Sequence, residues 1–260
     1  MKLSLSGRRV LVTRAAHQGG KLSAGLRALG AEAVEVPVLE IVPPRSWAPL
    51  DAVLRSLDRY SWLILTSANS ARTLAERAAH LGIALDGATT LKIAAVGPAT
   101  AAEARKAKLP VALVPDSYVA EGLLASLGAQ AQGKRVLIAR AAVARDIIPD
   151  ALRAQGAKVD VVDAYRNVLP ADAPEKLLRA LQQDIDAATF TSSSTVTHLK
   201  QAAEKAGIAF PLPGIPAISI GPITSQTLRE HNWEPAAEAT SFDLSGLIAA
   251  VEQFLHSRHP

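Results

Sequence analysis

The chain repeats itself. The segment GRRVLVTR, Gly7 to Arg14, returns as GKRVLIAR, Gly133 to Arg140, at an offset of 126 residues. LRALGAEAVEVPVLEIVPP, Leu26 to Pro44, returns as LRAQGAKVDVVDAYRNVLP, Leu152 to Pro170, at the same offset. WLILTSANSARTL, from Trp62, matches AATFTSSSTVTHL, from Ala187, with the shared Thr-Ser 125 residues apart, and IAAVGPAT, from Ile93, matches AISIGPIT, from Ala217, with the Gly-Pro 124 apart. Four segments in one order at nearly one spacing are the mark of an internal duplication. Such a chain folds as two copies of one unit, which predicts two similar domains facing a shared cleft.

Each copy alternates short apolar runs with helical patterns. Val10–Val12, Leu63–Leu65 and Ile93–Val96 have strand length and are bounded by turn residues. After Thr66-Ser67, apolar residues at Ala71, Leu74, Ala75 and Ala78 trace a helical stripe, and Val196, Leu199, Ala203 and Ala206 do so in the second copy. Strands that are apolar throughout, alternating with helices, imply parallel sheets covered on both faces. The expected fold class is α/β, with two three-layer flavodoxin-like domains.

Ala33–Val42 and Val159–Val168 read as extended for longer than one short strand, and Pro43, Pro44 and Pro170 close them. Each is expected to leave one domain and run on into the other, so that the pair forms a two-stranded β hinge. This gives a discontinuous domain of residues 1–37 and 168–260 and a continuous one of residues 38–167. A simple cut near Gly133 is the alternative.

Composition removes several classes of function. Without cysteine there are no disulfides, thiol nucleophiles or thiolate metal sites. A net charge of +4, without long basic runs and with only 4% aromatic residues, does not suit a nucleic-acid surface. It is compatible with a small anionic ligand. No leader-like or membrane-length apolar run is visible, which gives a cytoplasmic expectation. Gly19-Gly20-Lys21 is not a phosphate loop, because Ala15 and Leu22 stand where that motif needs Gly and Ser or Thr. No dinucleotide glycine fingerprint follows a strand, and the histidines form neither metal-ligand spacing nor a Ser-His-Asp arrangement. Cofactor-free chemistry or plain binding is left.

The positive signals sit where strands end and helices begin. Thr66-Ser67-Ala68-Asn69 and Thr191-Ser192-Ser193-Ser194 each open a helix. One reading is simple capping, in which the hydroxyl oxygens accept free backbone N–H groups. The other is an anion site, favoured by those N–H groups and the helix dipole. Gly97-Pro98-Ala99-Thr100 and Gly221-Pro222-Ile223-Thr224 follow the next strand; Gly permits a sharp turn or a close ligand approach, and Pro suits the first helical position. Open α/β sheets bind ligands beyond the carboxyl ends of their strands, where all four elements fall. Arg14 and Arg140 occupy equivalent strand ends and suit either an anion or a salt bridge. Tyr165 stands in the second crossing strand where the first copy has Leu39, and suits either a packed tyrosine or a functional one.

Taken together, VLVTR, LTSANS, AVGPAT, RVLIAR, VDAYR, FTSSS and SIGPIT, in that order along nearly the whole chain, resemble the uroporphyrinogen-III synthase family. The resemblance implies a cytoplasmic, cofactor-free, monomeric enzyme with two α/β domains on a two-stranded hinge. Its substrate would be hydroxymethylbilane, a linear tetrapyrrole rich in acetate and propionate, handed over transiently by hydroxymethylbilane synthase. It would close this into uroporphyrinogen III with inversion of ring D and loss of water. The resemblance makes Tyr165 the candidate acid, with Thr100 and Thr224 as residues beside it. The substrate-binding candidates are then Thr13, Arg14, Thr66, Ser67, Asn69, Gly97, Thr100, Arg140, Thr191, Ser192, Ser193, Ser194, Gly221 and Thr224. Two departures stand out: Ala141-Ala142-Val143-Ala144-Arg145 replaces the family's Gly-rich loop, and Ala15 its frequent proline. The reading from another class is a non-catalytic cytoplasmic sensor closing on an anionic small molecule.

Overall fold

The computed structural model describes residues 3–14, 16–85 and 90–258. The chain divides into two compact units, Met1–Ile41 with Val168–Pro260, and Val42–Asn167. Along the chain, β1 (Arg9–Val12), α1 (Ala16–Ala28) and β2 (Glu32–Glu35) open the first unit. There follow β3 (Glu40–Val42), α2 (Ala48–Leu54), β4 (Trp62–Leu65), α3 (Ala68–His80), β5 (Lys92–Ala95), α4 (Pro98–Lys106), β6 (Val111–Leu113), α5 (Ala120–Leu127), β7 (Arg135–Ala141), α6 (Ile147–Ala154) and β8 (Lys158–Val168). The chain then completes the first unit with α7 (Ala173–Ala180), β9 (Ala187–Phe190), α8 (Ser193–Lys205), β10 (Ala217–Ser219), α9 (Pro222–Glu230), β11 (Pro235–Glu238) and α10 (Leu244–Arg258).

One sheet has the order β11-β10-β9-β1-β2 and the other β3-β8-β7-β4-β5-β6. The pairings of β1, β2, β9, β10 and β11 and of β4 to β8 are all parallel. Under the repeat, β7 is the counterpart of β1, β8 of β2, and β4 of β9. Both units therefore use the flavodoxin-like order 2-1-3-4-5. Each sheet combines strands from both copies: β1 of the first copy, flanked by β2, pairs with β9 of the second, and β7 of the second pairs with β4 of the first.

Side-chain alternation fixes the layers. Leu11 faces a core with Leu177, Phe190, Val196 and Leu199, whereas Val10 and Val12 face the opposite core with Leu22, Leu26, Leu247 and Val251. In the other unit, Trp62, Ile64, Val136 and Ile138 pack against Leu123, Leu127 and Leu152. All four residues of β4 are buried, as expected of a central parallel strand.

The first crossing differs from the expected single long strand. Ala33–Val42 splits into β2, in the five-stranded sheet, and β3, at the edge of the six-stranded one. Val36 and Val38 still donate to the carbonyls of Val12 and Thr13, at 3.0 and 3.2 Å, but Pro37 between them has no N–H to give. Val38 makes the last of these bonds, and the chain then changes sheets, entering β3 at Glu40. The second crossing is one continuous eleven-residue strand, β8, but its ladder partners β7 and β3 belong to one sheet, so it does not run on into the other. Arg166 Nε donates to the carbonyl of Pro43 at 3.0 Å, beside the point where β3 ends.

Candidate functional site

In a sheet of this order the chain reverses direction between the first and third strands, and the crevice at their carboxyl ends is the usual ligand position. Here those places are β7/β4 in one unit and β1/β9 in the other. The motifs singled out above gather at both.

At the carboxyl end of β4, Ser67 has extended backbone and caps α3: its Oγ accepts the backbone N–H of Ser70 at 3.1 Å. The same oxygen lies 2.9 Å from Ser70 Oγ and 3.1 Å from the hydroxyl of Tyr165. Tyr165 is 6% exposed and stands on β8 opposite Ala141, where a bulge in the β7–β8 ladder follows Arg140. Its carbonyl accepts the N–H of Ala142 at 2.9 Å, which ties the Tyr165 backbone to the start of the loop after β7.

That loop is the segment that replaces the glycine-rich stretch, and Arg140 organises it. Its Nη1 donates to the carbonyl of Arg145 at 2.9 Å, and its Nη2 pairs with the carboxylate of Asp146 at 2.5 Å. With a side chain only 12% exposed, Arg140 braces the loop. A cavity of about 170 Å³ lies beside it, with Thr66, Ala120, Arg140, Ala144, Arg145 and Ile148 among its walls. Asn69 lies in the first turn of α3, half-buried.

One strand further on, Gly97 precedes Pro98 at the start of α4 with φ +92°, a backbone conformation that a β-carbon disfavours. Thr100 is 4% exposed and its hydroxyl donates to the carbonyl of Val96 at 3.0 Å. The candidate threonine thus closes the strand-to-helix turn. Its counterpart Thr224 is equally buried, and its N–H donates to the Gly221 carbonyl at 3.1 Å.

In the first unit, Thr13 is completely buried. Its hydroxyl donates to the carbonyl of Thr189 at 2.7 Å, and that of Thr189 donates to Leu11 at 2.9 Å, a reciprocal clasp between β1 and β9. Expected as a ligand residue, Thr13 follows the last residue of β1 with its side chain fully buried and its hydroxyl engaged by Thr189. Arg14 follows at the strand end, half-buried, and burial holds its guanidinium below the usual arginine pKa. Ser192 caps α8 in a capping box with Thr195, whose hydroxyl oxygen accepts the Ser192 N–H at 3.4 Å. Ser193 Oγ accepts the hydroxyl of Thr227 at 2.7 Å and donates to the carbonyl of Ile223 at 3.4 Å, so it ties α8 to α9. The carbonyl of Ser194 accepts the hydroxyl of Thr197 at 3.1 Å, and Thr191 lies half-buried ahead of the cap. The run of hydroxyls exceeds what a cap needs, and part of the excess joins two helices.

The sequence reading missed one pair of residues. Tyr118 and Phe242 follow β6 and β11, are 51% and 61% exposed, and sit over the two Gly-Pro turns. A β-carbon at Gly97 would lie 3.6 Å from Cγ of Tyr118, and one at Gly221 would lie 3.0 Å from Cδ1 of Phe242. The signal was present at the offset of 124 already seen for Gly97 and Gly221: Ser117-Tyr118, Gly122-Leu123 against Ser241-Phe242, Gly246-Leu247.

The family model described as uroporphyrinogen-III synthase HemD matches residues 20–249 of the chain. The chain belongs to the uroporphyrinogen-III synthase family. It is 36% identical over 255 residues to uroporphyrinogen-III synthase of Synechococcus elongatus, covering 96% of each chain. Among solved structures, its fold resembles that of a mutant uroporphyrinogen III synthase from Thermus thermophilus, with TM-score 0.70 at 21% identity, covering 96% of this chain and 100% of that one. It also resembles uroporphyrinogen-III synthetase from Helicobacter pylori, with TM-score 0.61 at 18% identity, covering 95% and 99%. The matched residues include both pairs of Thr-Ser and Gly-Pro strand-end motifs. Among the described residues, no group of His, Asp and Glu is arranged to hold a metal ion, and no helix is long and apolar enough to cross a membrane.

Proposed function

We propose that this chain closes linear hydroxymethylbilane into uroporphyrinogen III, inverting ring D and releasing water, with Tyr165 as the general acid. The observation that carries the reading is the hydrogen bond of the Tyr165 hydroxyl to Ser67 Oγ at the N-terminus of α3, at the carboxyl end of the sheet.

The substrate must lose its terminal hydroxyl, and hydroxide is a poor leaving group. The phenolic O–H of Tyr165 is a proton donor, and its proton can be passed to that oxygen. Water then departs and leaves an azafulvene-type cation. Ser67 Oγ already accepts the Ser70 amide, so its own proton is free to turn to the phenolic oxygen and to stabilise the phenolate that proton transfer creates. The positive end of the α3 dipole acts in the same sense. Attack at the substituted carbon of ring D gives a spiro intermediate. Its rearrangement and closure produce the inverted ring, and the proton released on rearomatisation restores the phenol.

The remaining work is conformational, because the cation has more than one site of attack and only one gives the type III isomer. Helix N-termini at Ser67, Gly97, Ser192 and Gly221, with Arg14, supply N–H groups and positive charge for the acetate and propionate side chains. Thr66, Asn69, Thr100, Thr191, Ser193, Ser194 and Thr224 flank those termini, and Arg140 acts by bracing its loop. The scheme needs no cofactor. It fits a monomer in the cytoplasm that receives its substrate from hydroxymethylbilane synthase.

The test is direct. Purified protein is added to hydroxymethylbilane generated in a coupled assay, and the isomers are separated after oxidation. Type III product supports the reading. Type I product alone, at the uncatalysed rate, refutes it and would favour a protein that only binds anions.

A further inference from the structure

Resting on that reading, we propose that Tyr118 and Phe242 are the ring-contact residues of their respective units, each offering an aromatic face to a pyrrole ring of the linear tetrapyrrole.

Three observations support this. First, exposed apolar bulk is unevenly placed. Among the described residues, the exposed large hydrophobic side chains are Leu3, Tyr118, Val143, Ile147, Leu178, Ile223 and Phe242. All but Leu3 and Leu178 follow the carboxyl ends of the strands, where a ligand of an open α/β sheet sits. Large apolar side chains gathered on a ligand-binding edge mark a contact surface, whereas scattered ones need no explanation.

Second, the duplication serves as an internal comparison. Around these rings the two copies have drifted: Val119-Ala120-Glu121 stands against Asp243-Leu244-Ser245. Serine, aromatic ring, glycine and leucine persist in both. Gly122 and Gly246 persist for a steric reason, because a β-carbon on either would collide with the carbonyl oxygen of Ser117 or Ser241. That close turn fixes where the next side chain goes. The buried leucines, Leu123 and Leu247, persist as core. The rings are exposed, so packing does not account for them. What the copies share at this position is the ring and not the hydroxyl, which points to the aromatic face as the functional part.

Third, each ring lies beside a Gly-Pro helix start. A pyrrole of this substrate is an apolar, electron-rich ring bearing carboxylates. An aromatic face for the ring next to the positive end of a helix dipole for its carboxylates matches both parts of that chemistry. The same combination recurs in each unit, as a substrate built of repeated pyrroles would require.

Steady-state kinetics with hydroxymethylbilane test this, using Tyr118→Ala, Phe242→Ala, the exchange variants Tyr118→Phe and Phe242→Tyr, and thermal midpoints for all. Each alanine variant is expected to raise KM about tenfold, the equivalent of about 1.4 kcal/mol, with kcat and the thermal midpoint nearly unchanged. Both exchange variants should behave as wild type. A KM within about twofold of wild type in both alanine variants overturns the proposal. So does a KM increase that comes with a lowered thermal midpoint, which would assign the rings to packing on the helix turns. If wild-type protein yields no type III isomer, the synthase reading itself has failed, a result distinct from active wild type with indifferent variants.

Discussion

The hydroxyl of Tyr165 lies 3.1 Å from Oγ of Ser67, the residue that caps α3, so the proposed acid is hydrogen-bonded to the end of a helix dipole. Replacing Tyr165 with Phe removes the proton donor while keeping the ring that packs on β8. We expect kcat to fall about a hundredfold or more, the usual range for loss of a general acid, with the circular dichroism spectrum unchanged. Wild-type turnover in the coupled assay would remove Tyr165 from the mechanism.

Ser67 is linked to both stability and turnover. Ser67→Ala deletes an N-cap, at a cost of about 1 kcal/mol, and takes away the partner of Tyr165. In the Tyr165→Phe background the effect on stability should persist and the effect on kcat should vanish. A double-mutant cycle on kcat reads this, and additive losses would separate the two residues.

Thr13 and Thr189 form a buried clasp that joins the end of β1 to β9. Thr13→Val keeps the shape and leaves the Thr189 carbonyl without its hydroxyl donor. A loss of roughly 1–3 kcal/mol in urea unfolding is expected, with kcat and KM both unchanged. A selective rise in KM would restore Thr13 to the ligand site.

The two Gly-Pro turns should respond differently to alanine. Gly97 has φ +92°, so Gly97→Ala forces a non-glycine residue into the left-handed region, costing on the order of 1–2 kcal/mol. Gly221 has φ 166°, which is extended backbone open to any residue, and the obstacle to a β-carbon there is the ring of Phe242. Because that ring is exposed and can swing aside, Gly221→Ala should cost less stability than Gly97→Ala. Equal thermal midpoints would contradict this.

At the opposite end of the six-stranded sheet, Tyr60 donates to Asp160 at 2.8 Å and Arg135 reaches the same carboxylate oxygen at 3.0 Å. Burial, reinforced by the Asp160 carboxylate, pushes the Tyr60 phenol up to about 12. Burial also works to raise Asp160, but hydrogen bonds from Tyr60 and Arg135 outweigh it and hold that carboxyl below its usual range. A raised phenol contributes stability that is complete below its unfolded pKa of ~10 and is lost as pH climbs toward the folded value. The depressed carboxyl contributes stability above its unfolded pKa of ~3.9 that is lost as pH falls through the lower folded one. Tyr60→Phe should therefore flatten the decline in stability above pH ~10, measured by urea unfolding across pH. An unaltered alkaline limb would exclude Tyr60 as its source.

Much of this protein was legible in one sequence, because duplication writes each essential feature twice. The offsets near 126 gave the repeated strand–helix unit, and apolar runs such as Trp62–Leu65 gave parallel strands buried on both faces. The Thr-Ser and Gly-Pro signals marked the strand ends where helices begin. All of this is local, set by side-chain period, capping chemistry and turn geometry. Tertiary structure decided which residues meet. Nothing in the sequence shows that Thr13 clasps Thr189, 176 residues away, because the end of β1 and strand β9 are brought together only by the fold. Nothing shows that the chain leaves one sheet after Val38 and joins the other at Glu40. The pairing of Tyr165 with Ser67 likewise depends on β8, β7 and β4 lying side by side, since a long-range hydrogen bond is fixed by strand order and register and not by neighbours in the chain. The duplication determined that there would be two such sheets; packing determined which copy of each motif each sheet received.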